Sequence, residues 1–134
     1  MKESCRLLCS FDDQIQDCTI TLIESDTDDD VAIEFRVNDI VIIQNDVTFF
    51  EALVKIRIKL EQNGIELFCQ GCRKNVYPSP MMLAMGSGDK AYVLTLGRQA
   101  KMSDMVSIFE KCEFEEYATV KEQRAFYEKW IKSL

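Results

Sequence analysis

Two cysteines lie three positions apart in the segment Cys69-Gln-Gly-Cys72, which is the spacing of half a tetrahedral zinc site. A complete site needs further ligands, and Cys5 and Cys9 supply them only if the first strand lies beside this turn. Their own separation suits a strand poorly, and the chain contains no histidine and no second Cys-X-X-Cys pair. We therefore interpret the segment as a turn with two packed cysteines and predict no bound metal. A redox role is not favoured either, because the strand-to-helix setting of thioredoxin-like motifs is missing.

The segment Met85-Gly-Ser-Gly-Asp-Lys90 has glycines like those of a phosphate-binding loop. It lacks the Gly-Lys-Ser/Thr ending that opens a helix and directs backbone N–H groups at a phosphate. The segment leads instead into a run of strand type, Ala91 to Leu96, so we interpret it as a hairpin connection. The absence of histidine also removes every Ser-His or Cys-His nucleophile. An enzyme that uses Asp, Lys or Cys without histidine remains an alternative, but no motif in the sequence supports it. The sequence therefore predicts a protein that is not an enzyme and has no cofactor.

Basic side chains in the middle of the chain, together with Tyr77 and Tyr92, are the features that favour nucleic-acid binding. These basic residues are Lys55, Arg57, Lys59, Arg73, Lys74, Arg98 and Lys101. The formal net charge is −7, and such a protein repels a polyanion at long range. We therefore interpret these residues as a solvated helix face and loops, and predict that the partner is not a nucleic acid.

The densest charge is the run Ser-Asp-Thr-Asp-Asp-Asp from Ser25 to Asp30. A calcium loop needs alternate ligands, a turn glycine and a distal glutamate, which this run lacks. Residues 1–51 hold 13 Asp and Glu against 3 Lys and Arg, whereas residues 52–134 hold 10 against 13. The first part thus carries a charge of −10 and the second +3. This uneven distribution favours a basic macromolecular partner over an anionic membrane.

The residues predicted to contact that partner are chosen by charge and expected exposure. They are Asp26, Asp28, Asp29, Asp30, Asp39 and Asp46. Further carboxylates at Asp12, Asp13, Asp17 and Glu34 widen this surface only if they lie on the same side of the molecule.

Three strands are indicated before residue 47. Cys18 to Glu24 is rich in Thr and Ile, and Val31 to Val37 alternates apolar and polar residues, which is the period of half-buried strands. Asn38-Asp39 lies between two apolar runs and suits a tight hairpin. We therefore expect Val31 to Val37 and Ile40 to Gln44 to pair antiparallel, with Ser25 to Asp30 as an exposed loop.

Two helices are indicated by apolar residues at steps of three and four. The first runs from Phe49 to Leu60 and should lay one apolar stripe on the sheet. Thr48 and Glu51 match a capping box at its start, and Gly64 supplies a stop. A second capping box, Thr119-Val-Lys-Glu122, opens a C-terminal helix that should dock on the core. Its aligned apolar residues are Val120, Tyr127, Ile131 and Leu134, with Phe126 and Trp130 adjacent.

The sheet is expected to continue through two short apolar runs, Ile65 to Cys69 and Tyr92 to Leu96. A loop-like stretch with Pro78, Pro80, Gly86 and Gly88 separates them. Met105 to Phe109 remains open between a strand and a short helix. The order of elements predicts an α+β fold with a mainly antiparallel sheet, packed by a central helix and a C-terminal helix. No repeat or linker divides the chain, so residues 1–134 are predicted to be one domain.

The composition is that of a folded protein that stays in the cytoplasm. Apolar residues make up 47% of the 134 residues and charged residues 29%, a balance typical of globular domains. The N-terminus lacks the apolar run of a secretory signal, and no run approaches the length that crosses a bilayer. We therefore interpret the six cysteines as reduced thiols, most of them packed as small apolar residues.

One block of the sequence resembles a known kind of protein. It comprises Asn63-Gly-Ile-Glu-Leu-Phe-Cys-Gln-Gly-Cys-Arg-Lys-Asn-Val-Tyr-Pro-Ser79, then Met85-Gly-Ser-Gly-Asp-Lys-Ala-Tyr92 and Leu96-Gly-Arg-Gln-Ala100. The block resembles small bacterial immunity proteins encoded beside polymorphic or contact-dependent growth inhibition toxins, over roughly residues 63–110. The resemblance implies a cytoplasmic inhibitor that binds a toxin domain and covers its active site or substrate surface. It carries no binding residue over to this chain, because such families keep the scaffold and vary the toxin-facing surface.

The sequence thus favours an immunity protein that forms a 1:1 complex with a basic, nuclease-like toxin domain. A carboxylate-rich surface suits a cleft that binds phosphates, and it speeds association with that cleft. The alternative is a secretion chaperone or adaptor, a class whose members are also small, acidic and α+β but generally dimeric. Oligomeric state and gene neighbourhood distinguish the two.

Overall fold

A computed structural model describes residues 2–27 and 29–134 of the chain. Five of its strands form one antiparallel sheet. They are β1 (Lys2–Phe11), β2 (Gln14–Glu24), β3 (Val31–Val37), β4 (Ile40–Asp46) and β5 (Glu66–Leu67). Their order across the sheet is β4-β3-β2-β1-β5, and all four neighbouring pairs are antiparallel.

The predicted hairpin of β3 and β4 is confirmed. Val37 lies opposite Ile40, and the turn between them has Asn38 at a φ of +51°, a left-handed conformation that asparagine tolerates. The alternation along β3 also holds, because its odd-numbered residues from Val31 to Val37 are buried while Arg36 is exposed. One face of the sheet therefore forms the core.

The first helix, α1 (Phe49–Gln62), packs on this face against β3, β4 and β5. The Thr48 hydroxyl accepts a hydrogen bond of 3.2 Å from the Glu51 N–H at its start. Beyond its end, Gly64 has a φ of +69°, which glycine adopts without strain. The predicted apolar stripe is buried, and it consists of Phe49, Leu53, Ile56 and Leu60.

A second antiparallel sheet contains β6 (Val76–Tyr77), β7 (Lys90–Val93) and β8 (Met105–Ser107), in that order. The first sheet therefore continues through the first predicted run, where β5 pairs with β1, but not through the second, because β7 belongs to this other sheet. After β5 the chain enters a 3₁₀ turn at Gln70–Cys72, where Gly71 packs against α1. A Cβ atom on Gly71 would lie only 2.6 Å from Leu53 Cδ2 and 3.1 Å from Ile108 Cβ, so a larger residue there would have to displace these buried side chains.

The stretch between β6 and β7 contains a helix that the sequence reading treats as a loop. This helix, α2, spans Pro80–Met85, and the Ser79 hydroxyl accepts from the Met82 N–H at 3.1 Å. Serine at the cap and proline in the first turn are typical helix-start signals. The two prolines and two glycines that indicated a loop instead flank and open this short helix.

The C-terminal helix, α3 (Val120–Ser133), begins at the complete capping box predicted at Thr119 and Glu122. It lies against β6 and α1, but its apolar stripe is not buried as expected. Ile131 is 47% exposed and Leu134 57% exposed. The one buried residue of this helix is Gln123, so a polar side chain makes its deepest contact with the rest of the molecule.

No helix in the described part of the chain is long and apolar enough to cross a membrane. The helices and strands together form the α+β fold that the sequence predicts, with a mainly antiparallel sheet.

Candidate acidic binding surface

The antiparallel register brings the predicted acidic loop together with strand ends that are remote in sequence. Lys2 lies opposite Ile23, and Asp46 lies opposite Val31. The start of β1, the loop after β2 and the end of β4 therefore meet at one end of the sheet. Asp26, Asp29 and Asp30 are exposed there, while Asp28 lies outside the described residues.

Asp39 lies at the opposite end of the sheet. It belongs to the β3–β4 turn, beside the β1–β2 turn of Asp12 and Asp13, and Asn38 Nδ2 donates to Gln16 Oε1 at 2.9 Å between them. The seven residues of β3 separate this turn from the acidic loop by roughly 20 Å, at about 3.3 Å per residue. The predicted contact residues thus fall into two groups that do not form one continuous surface.

Two other carboxylates lie on the face of the sheet that points away from α1. Cys18 and Phe35 are buried, so the adjacent residues Asp17 and Glu34 point to the opposite face. They therefore belong neither to the end of the sheet that carries the acidic loop (the loop end) nor to the end that carries Asp12, Asp13 and Asp39 (the turn end).

Asp46 is at the loop end but is already paired. Its Oδ2 lies 2.6 Å from Lys55 Nζ, and its Oδ1 accepts from the Val47 N–H at 2.7 Å. Burial alone raises the pKa of Asp46, but the hydrogen bonds from Lys55 and Val47 outweigh it and lower that pKa. This carboxylate therefore links the end of β4 to α1.

A small cavity at the same end has three acidic residues in its walls. Glu3, Glu24 and Asp89 line about 140 Å³ of space together with Leu22 and Phe49. A lining of both apolar and carboxylate side chains suits a lysine or arginine side chain, whose stem is apolar and whose head is charged. We call Glu3, Glu24, Asp26, Asp29, Asp30 and Asp89 the acidic end.

The sequence reading missed the cavity residues because they are far apart in the chain. Glu3 reaches this site because β1 pairs with β2 and places it opposite Leu22. Asp89 reaches it because the Phe49 N–H donates to the Ser87 oxygen at 2.8 Å, which holds the segment before β7 against the start of α1. Identifying these residues requires knowing which strands pair across the sheet. A single sequence shows such a pair only where a hairpin is evident.

An aromatic groove of about 610 Å³ adjoins this surface and is also lined by Asp46 and Lys55. The Tyr77 and Tyr127 rings stack there with centroids 4.0 Å apart. Arg124 Nη1 donates to the Tyr77 hydroxyl at 2.7 Å and fixes the pair. A rigid aromatic surface beside a charged one is typical of protein interfaces.

The basic residues considered for nucleic-acid binding are held largely by other contacts. Arg57 is only 2% exposed, so its assignment to a solvated helix face is wrong. Lys55 pairs with Asp46, and Arg73 Nη2 lies 3.0 Å from Glu116 Oε2. Lys59 donates to Gln44 Oε1 at 2.9 Å.

Most of the cysteines are packed in the interior, as the sequence predicts, and Cys9, Cys18, Cys69 and Cys72 are buried. Cys9 lies opposite Leu67, so β1 does lie beside the turn that holds Cys69 and Cys72. Cys5 and Cys9 share one face of β1, because side chains an even number of residues apart point the same way in a strand. Four residues of strand nevertheless separate them by about 13 Å, at about 3.3 Å per residue, which is too far for both to bind one metal ion. In residues 2–27 and 29–134, no group of three or more Cys, Asp or Glu side chains is arranged to hold a metal ion.

Comparison with known proteins adds no assignment to this geometry. No protein-family model and no curated protein matches the chain. The resemblance to immunity proteins therefore stays a prediction. The block that carries it builds β5 to β8, whereas the acidic end takes all its residues except Asp89 from the first 30 positions.

Proposed function

We propose that this protein is a cytoplasmic immunity protein that binds a basic toxin domain through the acidic end and blocks that domain's active site or substrate surface. The observation that carries the proposal is the acidic end itself. Exposed aspartates and a carboxylate-lined cavity lie together there, and the basic residues of the segments that meet there are Lys2, Lys90 and the paired Lys55.

The surface has the parts that a fast and specific inhibitor needs. Concentrated negative charge steers a basic partner toward the acidic end and raises the association rate. The cavity of Glu3, Glu24 and Asp89 then receives one basic side chain of the toxin. The adjoining aromatic groove supplies apolar contact area, which sets how slowly the complex dissociates.

The secretion-chaperone alternative is favoured by a different feature, the uncovered edge strand β4. Val41 is 41% exposed and Ile43 54% exposed on the outer face of that strand, and exposed edges pair readily with another chain. A stable dimer in solution, formed through β4, would support this alternative. The immunity proposal expects a monomer that becomes one half of a 1:1 complex.

The proposal is tested by mixing the purified protein with the toxin domain encoded beside its gene. We expect a 1:1 complex by calorimetry and an association rate, measured by stopped flow, that falls about 10-fold or more as salt rises from about 0.05 to 0.5 M. The steering field is screened by salt, whereas a contact dominated by apolar surface is not. If no complex forms with that domain, the proposal fails.

A further inference from the structure

Cys69 and Cys72 stand at the two ends of the 3₁₀ turn with their sulfur atoms 3.5 Å apart. Both side chains are fully buried, and the Cys72 N–H donates to the Cys69 oxygen at 2.9 Å. A disulfide bond is about 2.05 Å long. The two sulfurs therefore need only a small approach within the existing turn to become bonded.

A buried cation lies beside this pair. The Arg57 guanidinium donates to Gly71 O at 3.1 Å, Gln123 Oε1 at 2.6 Å and Ala118 O at 2.7 Å. All three acceptors are neutral, and Arg57 Nε has no hydrogen-bond partner in the described part of the chain. A buried charge without a carboxylate partner favours a negative charge on any group close to it.

The two thiols are the groups on which this charge acts. Burial raises the pKa of Cys72, but the hydrogen bond from Cys69 and the charge of Arg57 outweigh it and lower that pKa to about 7. The Cys69 pKa is raised, first by its hydrogen bond with Cys72. Burial also raises the pKa of the nearby Cys112 to about 12. Near neutral pH Cys72 is therefore partly ionised to the thiolate, while Cys112 stays a thiol.

We propose that Cys69 and Cys72 are a modification site, a dithiol that closes to an internal disulfide when the protein meets hydrogen peroxide. The Cys72 thiolate attacks one peroxide oxygen, the O–O bond breaks, and hydroxide leaves with the electron pair. The sulfenic acid that forms is then attacked by the Cys69 sulfur. The S–S bond forms and the sulfenic oxygen leaves as water, carrying the Cys69 proton.

The overall change balances as two thiols and one hydrogen peroxide giving one disulfide and two waters. The two sulfurs together lose the two electrons that reduce the peroxide. Hydrogen peroxide is small enough to reach a buried sulfur through local opening of the turn, which a bulky disulfide reagent is not. The site is independent of the acidic end and of the proposed function.

A second pair of cysteines provides a matched control. Cys9 and Cys18 are also buried, and they occupy diagonal positions of β1 and β2, because Cys18 lies opposite Leu7 and Cys9 opposite Gln16. The hydrogen bond between the two thiols lowers the pKa of Cys9 and raises that of Cys18, and the nearby charge is the carboxylate of Asp17, which opposes ionisation of both, where Cys72 has a cation. The dithiol account predicts that this pair resists peroxide when Cys69 and Cys72 react.

The test treats the reduced full chain with hydrogen peroxide near pH 7, alkylates the remaining thiols and maps the tryptic peptides by mass spectrometry. Residues 60–73 form one tryptic peptide that holds Cys69 and Cys72 and no other cysteine. We expect two of the six thiols to be lost first, and that peptide to be lighter by two hydrogen atoms with no alkylation. In Cys69→Ser, dimedone added as the oxidised chain is unfolded in denaturant should instead trap a sulfenic acid at Cys72, whereas Cys9→Ser and Cys112→Ser should behave as wild type.

The wild-type map decides the proposal even if Cys69→Ser does not fold. It is overturned if Cys112 or the pair of Cys9 and Cys18 is oxidised first, or if the first product is a dimer linked between chains. It is equally overturned if all six thiols survive peroxide that oxidises free cysteine in the same tube.

Discussion

Replacing Gln123 by leucine is expected to lower the free energy of unfolding by about 3 kcal/mol, because the buried polar groups that bond to Gln123 lose their partner. Gln123 Nε2 lies 2.8 to 2.9 Å from the backbone oxygens of Gly71, Arg73 and Val76. Its Oε1 accepts from Arg57 at 2.6 Å. Leucine has a similar size but fills none of these roles, so α3 should lose its deepest attachment. Urea unfolding followed by circular dichroism measures the change.

Gln62→Leu is the matched control, because Gln62 is exposed at the end of α1. It should change the stability by less than about 0.5 kcal/mol. Arg57→Met should also be strongly destabilising. The double variant should lose less than the sum of the two single losses, because the two side chains share one hydrogen bond. A loss below about 1 kcal/mol for Gln123→Leu would show that these bonds do not hold the helix.

Neutralising the acidic end is expected to slow association with the toxin domain by about 10-fold at low salt, because electrostatic steering is lost. The variant changes Asp26, Asp29 and Asp30 to asparagine, which alters the net charge from −7 to −4. The effect should shrink as salt is added, since screening weakens the field that these residues create. Stopped-flow mixing at several salt concentrations measures both effects.

The turn end supplies a control with the same net charge. Asp12, Asp13 and Asp39 are changed to asparagine, again giving −4. Asparagine tolerates the positive φ of Asp12 and Asp13, which is 54° and 59°. This variant should slow association by less than about 2-fold, because the turn end faces away from the contact. Equal slowing by both variants would mean that net charge matters and location does not.

Local sequence patterns correctly predicted the helices and the hairpin that are specified by residues only a few positions apart. Asn38-Asp39 between two apolar runs predicted the hairpin, and the residues from Phe49 to Leu60 predicted α1 with its buried stripe. The capping box at Thr119 marked the start of α3. In each case neighbouring residues specify the local geometry, so one sequence contains the information.

Two structural features differ from the sequence predictions, and the first of them depends on contacts between distant segments. The split into two sheets is a matter of long-range pairing, because β7 pairs with β6 and β8 and not with a strand of the first sheet. The burial of Arg57 and Gln123, by contrast, is indicated by their positions relative to neighbouring apolar residues. Arg57 lies four positions after Leu53 and three before Leu60, and Gln123 lies between Val120 and Tyr127 at helical steps. Both polar residues thus lie on the apolar faces of their helices, where a buried polar network is the expected explanation.

The candidate site was predictable only in part. The exposed loop aspartates are evident from composition, but Asp39 belongs to the opposite end of the sheet and Asp46 is paired with Lys55. The cavity residues Glu3, Glu24 and Asp89 come together only through sheet pairing and the contact of Ser87 with Phe49. Charge along a sequence thus predicts a kind of partner better than it predicts a contact surface.

Hydrogen exchange of the protein, alone and bound to the toxin domain encoded beside its gene, tests the contact surface most directly. Binding should slow exchange of backbone amides in residues 2–4, 24–27, 29–30 and 87–90, which contain the acidic end, and leave residues 11–14 and 37–40 at the turn end unchanged. Slowed exchange confined to the turn end or to α3, with the acidic end unaffected, would contradict the account.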